Sequence, residues 1–437
     1  MAGPRHVVIG AGTAAFNAIT TLLSIDPNAD ITLVSAERPY ARMVLPYYLS
    51  SEIDEDNVYT IAPQRLRELG VTVRLGERAE QLDRAAKHVR LTSGYNMPYD
   101  DLLIATGSSA TRPPLPGLDG AKVYDHWTLA DTQALRQVVG PGKHIALIGA
   151  GFIGFTLVNP LLHAGVHLTL VEREAQLLPR MLNATAAGIL QQWLADNGVD
   201  VHVGAELQSI EDGPNGKKRL HVAGGRPIEA DAVIVATGIK PNIDWLQGSG
   251  LSIGRGITVD RFMKTSDGSV YAAGDVAEIE DAITGERTVM AIETAAMEQG
   301  RIIGAAMAGQ PREYAGGLLM NVIEAAGLQA ASFGAWSGSD ASEGQAAGGH
   351  YRRYVWSGDR LIGGVLVGPA RQVAGENDMG LLKGLVQSGQ PLGEWKALLV
   401  QRPFELKKVY LATRTVERLL PRTVMGEPSV PLEVQLA

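Results

Sequence analysis

Apolar and polar positions along this chain follow a repeated order, in which a short apolar run enters a glycine turn and helical periodicity leaves it. His6-Val7-Val8-Ile9 reads as a buried strand, Gly10-x-Gly12-x-x-Ala15 as a tight turn, and Phe16 to Leu23 as a helix that begins inside the turn. Gly10 permits the turn, Gly12 lets the backbone approach a pyrophosphate, and the small Ala15 lets helix and strand pack closely. The helix N-terminus then faces the negative charge. A second apolar strand, Ile31 to Val34, ends near Glu37, an acidic side chain placed to hold a ribose hydroxyl. Pro63 to Leu69 reads as a short helix, Val71 to Leu75 and His88 to Leu91 as strands, and Tyr99 to Gly107 as a buried strand that stops at glycine.

The Pro-rich stretch Arg112 to Gly117 continues neither strand nor helix and reads as a crossing between domains. Beyond it the opening pattern recurs: Lys143 to Ile148 runs into Gly149-x-Gly151-x-x-Gly154, again at the start of a helix. Its second strand, His167 to Val171, ends at Glu172, where a carboxylate accepts from a ribose 2′-hydroxyl and repels a 2′-phosphate. Arg173 beside it weakens that preference, so NADH is favoured over NADPH without NADPH being excluded. Pro160 should kink this second helix about one turn in. Ala232 to Gly238 repeats the strand with a glycine stop, and Ser269 to Ala273 delivers Gly274-Asp275 at a strand's C-terminal end, where ligands of open α/β sheets sit. The alternative for Asp275 is a turn or helix-capping residue.

The last third carries no further glycine turn of this kind. Asn321 to Gly334, Tyr351 to Val355 and Leu361 to Val367 read as strands, the last two joined by a hairpin turn at Ser357-Gly358-Asp359-Arg360. The stretch Gly334 to Gly349, rich in Gly, Ser and Ala, is expected to be a mobile loop. One helix is predicted from Pro403 to Leu420, stopped by Pro421, with Leu406, Val409, Tyr410, Thr413, Val416 and Leu420 on its apolar face. Lys407, Arg414 and Arg418 lie opposite, as a solvated face or as a dock for an acidic electron-transfer protein or an anionic membrane.

Composition narrows the function classes. The 437 residues are 45% hydrophobic and 20% charged, an ordinary globular balance, and the net charge of -8 with no long basic run argues against nucleic acid as a partner. No apolar span is long enough to cross a bilayer and the N-terminus lacks a signal pattern, so the cytoplasm is the expected location. The chain has no cysteine, which excludes disulfide staples, thiolate metal ligation, iron–sulfur ligation and any thiol mechanism by this chain. Its nine histidines are scattered, and no metal site is expected.

Taken together, Gly10-x-Gly12, Ala105-Thr106-Gly107, Gly149-x-Gly151-x-x-Gly154, Ala236-Thr237-Gly238 and Gly274-Asp275 stand in the order found in one superfamily. The chain resembles the FAD-dependent flavoproteins of the pyridine nucleotide-disulfide oxidoreductase superfamily. The resemblance implies an α/β fold of two Rossmann-like dinucleotide-binding domains, the NAD domain inserted in the FAD domain, followed by a C-terminal α+β interface domain. The implied boundaries are residues 1–112 and 244–313 for FAD, 113–243 for NAD(P)H and 314–437 for the interface domain, which often forms a homodimer contact. It further implies that Thr106, Gly107, Thr237 and Gly238 line cofactor sites and that Asp275 hydrogen-bonds the flavin ribityl chain. A helix from about Glu293, with Thr294 in its first turn, is expected to point its positive end at the flavin pyrimidine edge, where it stabilises the reduced anion.

Within the superfamily, Tyr40 to Ser50 lies where disulfide reductases keep their redox cysteines, and here there are none. The segment is similar to the cysteine-free branch, the NADH-dependent ferredoxin and rubredoxin reductases and the FAD part of nitrite reductases, which implies that Arg42 contacts the FAD pyrophosphate. Ferredoxin reductases carry a Ser-Lys pair in this segment and a partner glutamate just after the second fingerprint; the matching places hold Pro46 with Tyr47, and Thr156. Losing one partner of a buried ion pair leaves an unpaired charge, whereas losing both is tolerable. Tyr47 or Tyr48 would then stack on or gate the flavin ring and Thr156 would bond a carboxamide, the alternative for the tyrosines being aromatic core packing. The expected activity is hydride transfer from NADH to flavin N5, with electrons passing on to a protein or small-molecule acceptor. A small iron–sulfur or rubredoxin-type protein is the first choice of acceptor, then dioxygen and a quinone. The alternative is a weakly catalytic or non-catalytic flavoprotein, acting as an interaction module or as the flavin subunit of a larger dehydrogenase.

Overall fold

The computed structural model describes residues 3–59, 62–370 and 378–423. The chain forms two compact units, one of Met1–Pro114, Leu118–Pro141 and Ile234–Gly317, the other of Leu115–Gly117, Gly142–Val233 and Leu318–Ala437.

The first unit is built on a five-stranded parallel sheet in the order Val270–Ala272, Asp101–Ile104, Arg5–Ile9, Asp30–Ser35, Thr72–Leu75. Val7, Val8 and Ile9 are buried in its centre, as a strand covered on both faces requires. Ile9 lies opposite both Val34 and Ile104, so three strands end at one level and their following loops gather at one edge. The helix Thr13–Ile25 leaves that edge and packs against the helix Glu293–Met307. A Cβ on Gly300 would lie 2.3 Å from Ala14 O, and one on Gly304 2.3 Å from Ala18 O. Two glycines four residues apart therefore let the helix backbones approach closely.

The second unit begins with the parallel strands Asp200–His202, His167–Val171 and His144–Ile148, the last flanked by Ala232–Val235. It continues as a five-stranded antiparallel sheet in the order Met320–Ala325, Leu328–Gly334, Arg360–Pro369, His350–Ser357, Ala341–Ala346. Phe333, Tyr351 and Tyr354 fill the core of this sheet. Helices Asp378–Ser388, Glu394–Gln401, Leu406–Ala412 and Thr415–Thr423 follow.

Three expectations for local structure are corrected. Asn321 to Gly334 is a hairpin rather than one strand, turning at Ala326 and Gly327, which both have positive φ. The expected loop Gly334 to Gly349 contains the strand Ala341–Ala346, paired along its length with His350–Ser357. The single helix predicted from Pro403 is two helices, broken at Arg414, whose φ of 51° is left-handed, and the second runs on to Thr423, past Pro421. Leu406 and Val409 are buried as expected, whereas Val416 beyond the break is exposed. As expected, the second fingerprint helix is interrupted about one turn in: it divides into Phe152–Phe155 and Val158–His163, so the effect of Pro160 falls at Thr156 and Leu157, one turn before the proline. A proline ring crowds the carbonyl four residues back and offers it no N–H, which accounts for that position. The Leu420 side chain and residues 424–437, the end of the expected interface domain, lie outside the described residues. No helix among the described residues is long and apolar enough to cross a membrane.

Candidate functional site

At the first glycine turn Gly10 has φ 103° and donates its N–H to Val34 O at 2.8 Å. A Cβ there would sit 2.1 Å from Ala105 O, so the position admits only glycine. Gly12 precedes the helix Thr13–Ile25, and a Cβ on it would meet nothing within 4 Å. Ala15 is fully buried against the sheet. The helix therefore opens with free N–H groups beside backbone that a ligand can approach.

Several separate stretches of the first unit converge on this turn. A Cβ on Gly274, whose φ is 75°, would lie 3.6 Å from Ala14 Cβ and 3.9 Å from Ala296 Cβ. The Gly274 N–H donates to the buried Gln299 Oε1 at 2.8 Å, which anchors the turn carrying Asp275 to the helix Glu293–Met307. Ser108 Oγ donates to Asp275 Oδ2 at 2.6 Å, and Trp127 Nε1 donates to Ser108 O at 2.7 Å. The Arg42 guanidinium lies 4.4 Å from the centre of the Trp127 ring, while its Nε is buried with no protein partner. A chain of contacts thus runs from Arg42 to Asp275 and on to the first fingerprint helix. Thr13 Oγ1 donates to Glu293 Oε1 at 3.1 Å, so that helix start also touches the start of Glu293–Met307, where Thr294 is exposed.

The Ala-Thr-Gly motifs are brought together. Ser108–Ala110 pairs antiparallel with Ile239–Pro241, Thr111 N donates to Gly238 O, and Thr237 Oγ1 donates to Thr111 O at 2.7 Å. Thr106 is bound twice to Asn242, through Thr106 Oγ1 to Asn242 O and Asn242 Nδ2 to Thr106 O, and Asn242 N donates to Gly107 O. Both threonine hydroxyls therefore serve the crossing itself.

Glu37 is exposed just beyond the strand Asp30–Ser35, its N–H donating to Ser35 Oγ at 3.3 Å. The neighbouring Tyr40 hydroxyl is pushed up to about 12, by burial first and then by the Glu37 carboxylate. Of the two candidate tyrosines, Tyr48 packs with Leu45, Val58 and Leu129, donates to Glu55 Oε2 at 2.8 Å and lies under the Arg136 guanidinium. Tyr48 is therefore a core residue, 7% exposed, while Tyr47 is 52% exposed.

In the second unit Gly149 has φ 93° and donates to Val171 O, and Gly151 precedes Phe152–Phe155 with open space where a Cβ would be. Gly154 is buried. Glu172 is 7% exposed, its Oε2 accepting from Ala150 N at 2.7 Å and its Oε1 from Glu174 N at 2.9 Å. The acidic side chain thus grips the glycine turn it follows. Thr156 Oγ1 donates to Ile153 O at 2.7 Å, within its own helix.

Ser108, Trp127, Gln299 and Asn242 are the contributors that sequence reasoning missed. Ser108 directly follows an Ala-Thr-Gly motif and Gln299 lies within the helix expected from Glu293, so both had a local signal; Trp127 and Asn242 lie in stretches with no pattern of their own.

The residues present fit a dinucleotide at each turn: an orphaned buried Arg42 Nε and open Gly12 in the first, open Gly151 with a braced acidic residue in the second. The family described as pyridine nucleotide-disulphide oxidoreductase matches residues 4–300. The epsilon subunit of NADH-dependent phenylglyoxylate dehydrogenase of Aromatoleum evansii is 33% identical over 334 residues, covering 76% of this chain and 79% of that one. Rubredoxin-NAD(+) reductase of Alcanivorax borkumensis is 29% identical, over 83% of this chain and 95% of that one. Among solved structures, a NAD-dependent persulfide reductase from A. fulgidus superposes with a TM-score of 0.82 at 27% identity, covering 89% of this chain and 78% of that one. With both glycine turns inside a match that spans well over half of its length, the chain belongs to the pyridine nucleotide-disulphide oxidoreductase family and is a FAD-dependent NAD(P)H oxidoreductase.

Proposed function

We propose that this chain takes reducing equivalents from NADH through FAD and hands electrons to a small iron–sulfur or rubredoxin-type protein. The observation that supports this best is the contact path from Arg42 through Trp127 and Ser108 to Asp275, built at the first glycine turn of a chain without cysteine. FAD, when bound, supplies the redox chemistry, exchanging a hydride equivalent with the nicotinamide and releasing electrons to an acceptor. No thiol of this chain takes part, since it has none.

In this reading residues 1–112 and 244–313 hold FAD, 113–243 hold NAD(P)H, and 314–437 form the interface domain of a homodimer. Gly10, Gly12 and Ala15 shape the turn whose N–H groups take the diphosphate, and the free Arg42 Nε donates to it. Glu37 accepts from the adenosine ribose, with Thr106 and Gly107 closing the crossing beside it. Asp275, held through Oδ2 by Ser108, keeps Oδ1 for a ribityl hydroxyl. Thr294 stands in the first turn of a helix whose positive end stabilises a reduced anion. Tyr47, exposed, is free to cover the flavin ring.

At the second turn Gly149, Gly151 and Gly154 take the NADH diphosphate, with Thr237 and Gly238 at the return crossing. Each Glu172 oxygen accepts one backbone N–H and retains a lone pair for ribose hydroxyls. The Thr156 hydroxyl donates to Ile153 O and can still accept from a carboxamide N–H.

The test supplies NADH and either rubredoxin or a [2Fe–2S] ferredoxin and follows reduction of the added protein. Acceptor reduction faster than oxygen consumption supports the reading; reduction of neither protein contradicts it. A second reading, the flavin subunit of a larger dehydrogenase, draws on the relative from Aromatoleum evansii, whose name makes it one subunit of such an enzyme. It would be favoured by an activity that appears only when further chains are added.

A further inference from the structure

The hairpin between Met320–Ala325 and Leu328–Gly334 turns on two residues, Ala326 with φ 50° and Gly327 with φ 80°. Two successive positive φ values mark the turn type that best matches strand twist, and its first position ordinarily carries asparagine, aspartate or glycine. Alanine there bears the left-handed cost with no side-chain bond to offset it. The N–H and C=O of such a residue lie outside the strand ladder and ordinarily face water.

Here both are taken, and by the layer that carries the second glycine turn. Ala326 N donates to Asn159 Oδ1 at 2.7 Å, and Trp193 Nε1 donates to Ala326 O at 2.9 Å. The next hairpin reaches the same surface: a Cβ on Gly349 would lie 3.8 Å from both Ile189 Cγ2 and Trp193 Cε3, and Asn183 Nδ2 donates to Tyr351 OH at 2.7 Å. All of these residues belong to one compact unit.

The place of Asn159 gives the contact its meaning. It sits in Val158–His163, the half-helix beyond the break at Thr156 and Leu157, immediately before Pro160. A continuous helix would transmit its own rigidity to the phosphate-facing turn, but here only Phe152–Phe155 is attached to Gly149 and Gly151. The half-helix that supports it is held from outside, by a hairpin.

We propose that Asn159 and Trp193 are positioning residues through which the C-terminal antiparallel sheet sets the geometry of the second glycine turn, so that affinity for NAD(P)H depends on the Ala326 hairpin. The inference rests on the reading of Gly149 to Gly154 as the NAD(P)H turn. Coupling of this kind is reciprocal, so nucleotide occupancy also stiffens the hairpin.

The experiment uses the FAD-loaded full chain, with NAD+ as the probe in calorimetry and in amide hydrogen exchange. Asn159→Leu removes the acceptor at similar size, Asn159→Asp keeps it, and Trp193→Phe removes only the indole N–H. The Leu and Phe variants are expected to bind NAD+ about five- to tenfold more weakly with FAD content unchanged, the usual scale of coupling between sites. The Asp variant should match the parent. The double variant Asn159→Leu with Trp193→Phe should lose less than the two single losses combined, because both bonds end on one residue. NAD+ should slow exchange over residues 320–334 in the parent and not in Asn159→Leu. Unchanged NAD+ affinity in Trp193→Phe and Asn159→Leu, even with a lowered Tm, overturns the proposal while leaving the NAD(P)H reading intact. A parent that binds no NAD+ overturns both. If Asn159→Leu fails to fold, Trp193→Phe against the parent decides the matter.

Discussion

The two glycine turns start from the same strand, turn and helix pattern and part company within one helical turn. After the first, the helix runs unbroken from Thr13 to Ile25 and is braced by Gly300 and Gly304 of a neighbouring helix packed onto its backbone. After the second, it breaks at Thr156 and its second half accepts a side-chain bond from a distant hairpin. The acidic residues differ in the opposite sense: Glu37 is exposed, whereas Glu172 is buried and fastened to Ala150 N and Glu174 N. The first turn leads into a continuous helix and its acid is open; the second leads into an interrupted helix and its acid is fastened. On the proposed assignment this matches a resident FAD against a nucleotide that must leave in every turnover.

The largest effect should come from the frame of the first glycine turn. Gly10→Ala puts a Cβ 2.1 Å from Ala105 O at a left-handed backbone position, at a cost of several kcal/mol, roughly 3 or more, so little folded protein should be recovered. Gly12→Ala meets open space and should fold with the parent's circular dichroism but lose FAD. Equal melting temperatures for Gly10→Ala and the parent would break the distinction between frame and binding surface.

Acid should act next, through the first unit. His126, 6% exposed and beside Trp127, is held neutral by burial, its pKa pushed down to about 4 against a partial opposing pull from Asp131. Below its ordinary value near 6.5 the unfolded chain takes up a proton that the folded chain refuses. Its contribution to stability is therefore intact above that pH and lost as pH falls toward 4, by about 3 kcal/mol in full. Melts from pH 7 to 4.5 should show the loss, and His126→Gln should flatten it; an identical acid slope in that variant would remove His126 as the cause.

Asp275→Ala should yield flavin-depleted protein, since on the proposed assignment it removes a ribityl contact along with the carboxylate that receives Ser108 Oγ. Stoichiometric FAD in the purified variant would count against that role. A smaller change is expected for Glu172→Ala, which should weaken NADH binding about tenfold, the scale of one hydrogen bond to a charged group, with FAD retained. Unchanged NADH affinity would withdraw Glu172 from the nucleotide site.

What was legible in the sequence was whatever a local pattern encodes. The runs His6 to Ile9 and His144 to Ile148 could only be buried strands, and a glycine directly after each leaves few conformations. Ala341–Ala346 was not legible because Ala-Ser-Glu-Gly-Gln-Ala has little strand preference; pairing with His350–Ser357 imposes it. The Ala326-Gly327 turn lacks the Asn-Gly signal that would have split Asn321 to Gly334, and the left-handed Arg414 that breaks the last helix has no local cue. Trp127 and Gln299 are placed by contacts across long stretches of chain, which no spacing along the sequence reveals.

The most direct test of the central claim is an anaerobic titration of the purified protein with NADH, then NADPH, followed at the visible absorbance of oxidised flavin. Fast, stoichiometric bleaching by NADH is the expected result. Flavin that is present and stays oxidised in excess NADH would contradict it.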